Sequence, residues 1–206
     1  MDEQSDYWDL LDAGIDGIMA RLTIPSIDVD LPIYHGTSDA VLEHGVGHLQ
    51  GTSLPVGGTD THSVLTAHTG LAKAALFNNL KDVELGDTFT ISVFGEVLTY
   101  QVVETQTILP SETGSLIVQS DRDIVTLVTC TPLGINPHRY LVTGERVEPT
   151  PIADIEAARE APAIPKSPWW AVVLPAGVLL VGIYVWRTGY TPKPKKAKTE
   201  QETATE

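Results

Sequence analysis

Of 206 residues only one, Cys130, is a cysteine, so the chain cannot close a disulfide within itself and its sulfur is either a small packed hydrophobe or a reactive thiol. Dinucleotide fingerprints, phosphate-cradling glycine loops and metal-ligand spacings of useful specificity are missing, so neither cofactor nor metal is expected. His44 and His48 stand one helical turn apart, but Gly45 and Gly47 between them argue against a helical metal site. Basic residues are scarce in the body of the chain. The formal net charge is −14, yet Arg187, Lys193, Lys195, Lys196 and Lys198 are crowded into the last stretch, which leaves everything before them more acidic still. No nucleic-acid partner is expected of such a surface. Residues 1–16 are acidic with a few apolar side chains and do not read as a basic, apolar export segment.

What is present is a succession of short β-type runs. With 42% hydrophobic residues and 17 glycines, the chain suits one domain with a true core plus extras. Ile18–Ile24 and Ile27–Leu31 read as two strands hinged at Pro25-Ser26, with Asp28 and Asp30 on one solvated face. Ser38 caps a helical turn or two that Gly45 ends, and residues 51–60 form a glycine and proline loop leading into a strand over 62–68. A helix is predicted over 72–80, then a hairpin of 88–94 and 97–107 turning at Gly95-Glu96, and a long connection over 108–119. Tyr7-Trp8-Asp9 at the start is read as a short helix packing on the body. Seven to eight short strands with turn signals between them predict a mainly β fold with short helices, closed into a barrel that leaves no free edge.

Beyond Val147 the pattern stops. Glu148-Pro-Thr-Pro151 breaks it, and residues 152–160 read as a charged helical linker. Trp169 to Trp186 then runs without a charge, long enough as a helix to reach across roughly 27 Å of hydrocarbon. Tryptophans at both ends and the basic cluster after it predict a transmembrane helix with a cytoplasmic tail and the domain outside. The expected divisions are 1–16, a segment before the domain; 17–147, the barrel; 148–168, the linker; 169–186, the membrane helix; and 187–206, the basic tail.

The thiol is the chemical centre. Asp123–Thr129 is rich in β-branched residues, and Pro132, Gly134, Asn136 and Pro137 then break the run, so Cys130 stands at a strand's end. Arg139 opens a second β-type run, so a strand-loop-strand hairpin brings its guanidinium and the sulfur to one edge. A free cysteine titrates near 8.5, so a nearby cation is required to raise its thiolate fraction.

Thr126-Leu-Val-Thr-Cys130-Thr-Pro-Leu-Gly-Ile-Asn-Pro-His-Arg139 resembles the TLxTC signature and downstream arginine of sortases, in particular of the pilus-assembly class C. Leu31-Pro-Ile-Tyr-His-Gly36, Gly45-Val-Gly-His-Leu49, Gly51–Gly58 and Ser63-Val-Leu-Thr-Ala-His-Thr-Gly70 are similar to blocks of that class in the same order. The resemblance covers residues 17–147 and implies a sortase-type barrel and a cysteine transpeptidase with catalytic His68, Cys130 and Arg139. Thr69 stands where an arginine is common in the class. The class usually begins with an export segment and a lid carrying Asp-Pro-aromatic; Asp6-Tyr7-Trp8 lacks the proline, and the expectation is a truncated or wrongly started chain.

The implied reaction cuts an LPxTG-type sorting signal after its threonine through a thioacyl intermediate and passes the acyl group to a pilin lysine. His138 is the rival acid, but beside Arg139 on one strand it must point the other way. Expected partners are pilin or surface-protein precursors and the membrane, with the protein itself a monomer. Two alternatives stand beside this one: a sortase that anchors proteins to peptidoglycan, and a membrane-tethered binding or scaffold module with an inert cysteine.

Overall fold

The computed structural model describes residues 7–12, 14, 17–70, 76–131, 137–159 and the helix of residues 170–189, with side chains of that helix from 174 onward. The loop residues 132–136 and the first half of the helix expected over 72–80 lie outside the described residues, as do residues 160–169 and 190–206.

Eight strands close a barrel: β1 (Ile18–Ile24), β2 (Val29–His35), β3 (Val46–His48), β4 (Thr61–Thr66), β5 (Thr88–Val93), β6 (Glu96–Ile108), β7 (Asp123–Thr131) and β8 (His138–Arg146). Their order around it is β1-β2-β3-β4-β7-β8-β6-β5, and β5 returns to β1. Alternation drives this. In β1 and β5 one set of side chains turns inward, and Leu22, Ile24, Ile33, Phe89, Ile91, Tyr100 and Leu127 are fully buried in the lumen. Each such aliphatic or aromatic side chain contributes about 1.5–3 kcal/mol when removed from water. Phe89 stacks on Tyr100 with ring centroids 5.5 Å apart, and Tyr100 donates to Asp123 Oδ1 at 3.1 Å, which satisfies the one polar atom that ring carries inward.

Most neighbours are antiparallel, but β2–β3 and β4–β7 run parallel. The second of these matters most, because a parallel pair places both C-terminal ends on the same rim.

Several boundaries differ from the sequence reading for identifiable reasons. Between β1 and β2 a 3₁₀ turn occupies Pro25–Ile27, and Asp28 takes a left-handed φ of 54°, so it leaves the strand and shares no face with Asp30. Asp30 instead pairs with Arg21 at 2.5 Å. The β5–β6 turn is Phe94-Gly95, both at positive φ, as a two-residue hairpin of the twist-compatible kind requires. Residues 76–79 turn rather than continue a helix, and only Leu80–Asp82 coil, as 3₁₀. Asn78 there spends its side chain on the Gly70 N–H at 2.7 Å, the competition that makes asparagine a poor helix former.

Helix α1 (Asp39–Leu42) is capped by Ser38, whose side chain accepts from the Val41 N–H. Helix α2 (Ile152–Arg159), the helical part of the expected linker, belongs to the same compact unit as the barrel. It is docked there: Thr99 donates to Asp154 Oδ2 at 2.7 Å, and Arg21 donates to the Ala158 carbonyl at 3.4 Å. At the other end, Tyr7 opens a single helical turn and is buried, as the short packing helix predicted.

Residues 163–206 form a separate unit, in which helix α3 runs Trp170–Gly189 with Pro175 inside it. Among the described residues, no helix is long and apolar enough to cross a membrane.

Candidate active site

Strand β7 owes its extent to the run of β-branched residues that opens it, and it continues through Cys130 to Thr131 before the chain turns back as β8. The antiparallel register sets Cys130 directly opposite Arg139 and Thr131 opposite His138. On the other side of β7 the parallel ladder to β4 pairs residues at a constant offset, from Thr61 with Asp123 to Thr66 with Val128. Carried two residues past that last pair, the same offset brings His68 level with Cys130. His68, Cys130 and Arg139 therefore lie in one lateral row across the ends of three chain segments.

All three line a single cavity of about 370 Å³. Its walls are apolar where Leu42, Leu49, Val64 and Leu141 face in, and one side is closed by Ile108 at the end of β6 and by Pro110 and Leu116 of the β6–β7 connection. The sequence reading treated that connection only as a long link. Its apolar residues amid exposed polar ones were the available signal. A larger cavity, of about 470 Å³, lies over β1, β2 and β5 beside Arg21, Asp30 and Phe94; it holds neither a cysteine nor a histidine.

Cys130 is partly exposed and forms no disulfide, so its thiol is within reach of a substrate. His68 retains 30% side-chain exposure and faces Asp39 Oδ1 at 3.9 Å, but that carboxylate is 97% exposed and offers little orientation. Arg139 Nη1 donates to the His138 carbonyl at 3.1 Å, which fixes part of its fork. Three other histidines, all buried, are spent on structure. His62 is buried between the Ile117 carbonyl at 3.0 Å and Thr126 Oγ1 at 2.7 Å. His35 is held by the Leu10 carbonyl at 2.6 Å, and His48 by the Ser53 carbonyl at 2.9 Å and the Tyr7 hydroxyl at 2.9 Å. Burial holds the His48 imidazole below the usual histidine range, only partly offset by its bond to Ser53.

A thiol, an imidazole and a guanidinium converging on one apolar cleft form the equipment of covalent acyl transfer: nucleophile, proton carrier and oxyanion partner. No site within the described residues groups three or more histidine, cysteine or acidic side chains about a point that would hold a metal.

A family model described as "Sortase domain" matches residues 22–147. The chain is 31% identical over 129 residues to sortase D of Bacillus subtilis, a match that takes in 61% of this chain and 62% of that protein's length. Sortase C-1 of Actinomyces oris has a crystal structure that is similar at a TM-score of 0.68 and 55% identity, covering 70% of this chain and 81% of that one. Sortase C of Streptococcus pneumoniae, whose structure was reported with insights into catalysis and pilin substrate specificity, is 44% identical at a TM-score of 0.64, covering 65% and 70% respectively.

Proposed function

The chain belongs to the sortase family, class C, and from that premise we propose that it is a membrane-tethered cysteine transpeptidase that polymerises pilin subunits. The observation that carries this reading is the single row of His68, Cys130 and Arg139 along one cavity. In the proposed reaction the Cys130 thiolate attacks the threonine carbonyl carbon of an LPxTG-type signal and a carbon–sulfur bond forms. The tetrahedral oxyanion is met by the Arg139 guanidinium. His68, as imidazolium, gives its proton to the departing glycine amine as the carbon–nitrogen bond breaks, leaving a thioester and a neutral imidazole. A lysine amine then attacks the thioester. Its proton passes to His68, the thiolate leaves, and an isopeptide bond joins the two proteins.

The apolar walls of the cavity suit the leucine and proline that open such a signal. Pilin as substrate is favoured by the likeness to class C structures, one of them reported for its pilin specificity. For the tether, the support is the uncharged run of the sequence from Trp169 to Trp186 and the basic residues after it. In this reading the barrel faces outward and the tail inward, so membrane-delayed precursors meet the thiol in two dimensions.

The test is mass spectrometry of the full chain incubated with a short Leu-Pro-x-Thr-Gly peptide, beside Cys130→Ala. A mass gain equal to the acyl fragment, absent in the variant and discharged by a lysine-containing pilin fragment, is the expected result. Discharge by a peptidoglycan amine alone would point to wall anchoring instead. A thiol that neither forms an adduct nor reacts with a small alkylating reagent would leave a scaffold module with an inert cysteine. Membrane fractionation of the full chain against one ending at residue 168 checks the tether: only the first should sediment with membranes.

A further inference from the structure

The β4–β7 ladder ends before it reaches the reactive row. Its last paired residues are Thr66 and Val128, and one further backbone bond, from the Ala67 N–H to the Val128 carbonyl at 3.2 Å, closes it. Past that point the two segments are joined by hydroxyls. Thr129 Oγ1 donates to the Ala67 carbonyl at 2.9 Å, and Thr69 Oγ1 donates in the opposite sense to the Cys130 carbonyl at 3.2 Å. One bond precedes His68 and the other follows it. The His68 carbonyl is itself turned toward the Phe77 N–H at 3.2 Å, away from the β7 ladder.

We infer that Thr69 is a positioning residue: its hydroxyl fastens the segment just after His68 to the backbone of Cys130, and so holds the imidazole level with the thiol. The inference rests on the transpeptidase reading only for the roles of those two side chains. Thr129 is buried within the sheet, where its loss would disturb packing, but Thr69 is half-buried at the rim. Its hydroxyl can be removed with little else. Because acyl transfer and thiolate support both need the imidazole at a set distance, a small displacement is felt in rate rather than in substrate binding.

Thr69→Val keeps shape and removes the donor; Thr69→Ser keeps the donor. Each full-length variant is compared with the parent chain by steady-state transfer from a Leu-Pro-x-Thr-Gly peptide to an amine, by the pH profile of Cys130 alkylation with iodoacetamide, and by thermal melting. For Thr69→Val, kcat should fall about tenfold with KM within about twofold, as a misplaced acid requires. The alkylation midpoint should move to higher pH while the melting temperature stays near that of the parent, and Thr69→Ser should restore both. An unchanged midpoint in Thr69→Val overturns the inference, as does a loss shared equally by Thr69→Ser or one that accompanies a lowered melting temperature. A parent chain that alkylates with the expected midpoint shift between variants but transfers no acyl group would sink the transpeptidase reading and leave the positioning role standing.

Discussion

Cys130 and Arg139 are direct partners across the β7–β8 ladder, so the guanidinium reaches the thiol's cleft from the neighbouring strand. His138, one position earlier, pairs with Thr131 and leaves by the opposite face of the strand.

From that register, Arg139→Ala should lower kcat by about 10²–10³ with a smaller change in KM, since an oxyanion partner acts mainly in the transition state. Arg139→Lys should recover only part of this, because a point charge does not reproduce the planar fork. His138→Ala should stay within about threefold of the parent, on the ground that it faces away from the reacting atoms. Steady-state transfer kinetics check all three, and an indispensable His138 would overturn the assignment of His68 as the acid.

The pair of His68 and Asp39 should count for little. At 3.9 Å and with the carboxylate almost wholly in water, the attraction is screened. Asp39→Asn is expected to leave kcat/KM within about twofold at physiological salt. A loss of tenfold or more would show that Asp39 orients the imidazole after all.

Acid should weaken the seat of the N-terminal turn. The Tyr7 hydroxyl accepts from the Gly36 N–H at 3.0 Å and donates to the His48 carbonyl at 3.2 Å, while the buried His48 ring packs between that hydroxyl, 2.9 Å from Nδ1, and the Ser53 carbonyl, 2.9 Å from Nε2. Burial lowers the folded-state value of His48 below its ordinary 6.5. The unfolded chain therefore takes up the proton first, and stability is fully present above about 6.5 and is lost as pH falls toward the folded value. Melting temperature should drop between pH 7.5 and 5, and His48→Gln should flatten that part of the curve.

Gly144 is expected to tolerate no side chain. A Cβ there would lie 2.4 Å from Phe89 Cε1 and 3.0 Å from the Tyr100 Cβ, against a stacked pair that fills the lumen. Gly144→Ala should cost about 1–3 kcal/mol, measurable by chemical denaturation, through displacement of Phe89. Activity of the protein that remains folded should be close to normal.

The chain's punctuation is local, and so it was legible in advance. Glycine and proline pairs mark where strands end, alternation marks which are half-buried, and Cys130 with Arg139 across a turn follows from two β-type runs and the breakers between them. Such features depend on backbone preferences within a few residues. Boundaries erred where side chains chose another partner, as at Asn78, or where the backbone turned left-handed, as at Asp28. The helix α2 looked like a linker because its charges suggest solvent; the hydrogen bond from Thr99 that docks it comes from a strand more than fifty residues earlier.

His68 shows the division most clearly. As a residue at a strand's end it was visible in the sequence, and family likeness alone singled it out. What brings it to the thiol is the parallel pairing of β4 with β7, an arrangement no short-range pattern encodes. Parallel neighbours need a long crossover, and here the chain winds through β5 and β6 before β7 returns beside β4. That pairing is decided by closure of the barrel and burial of its lumen. Composition and strand punctuation thus determined a β fold with one thiol at a strand's end, while the tertiary structure alone decided which histidine stands level with that thiol.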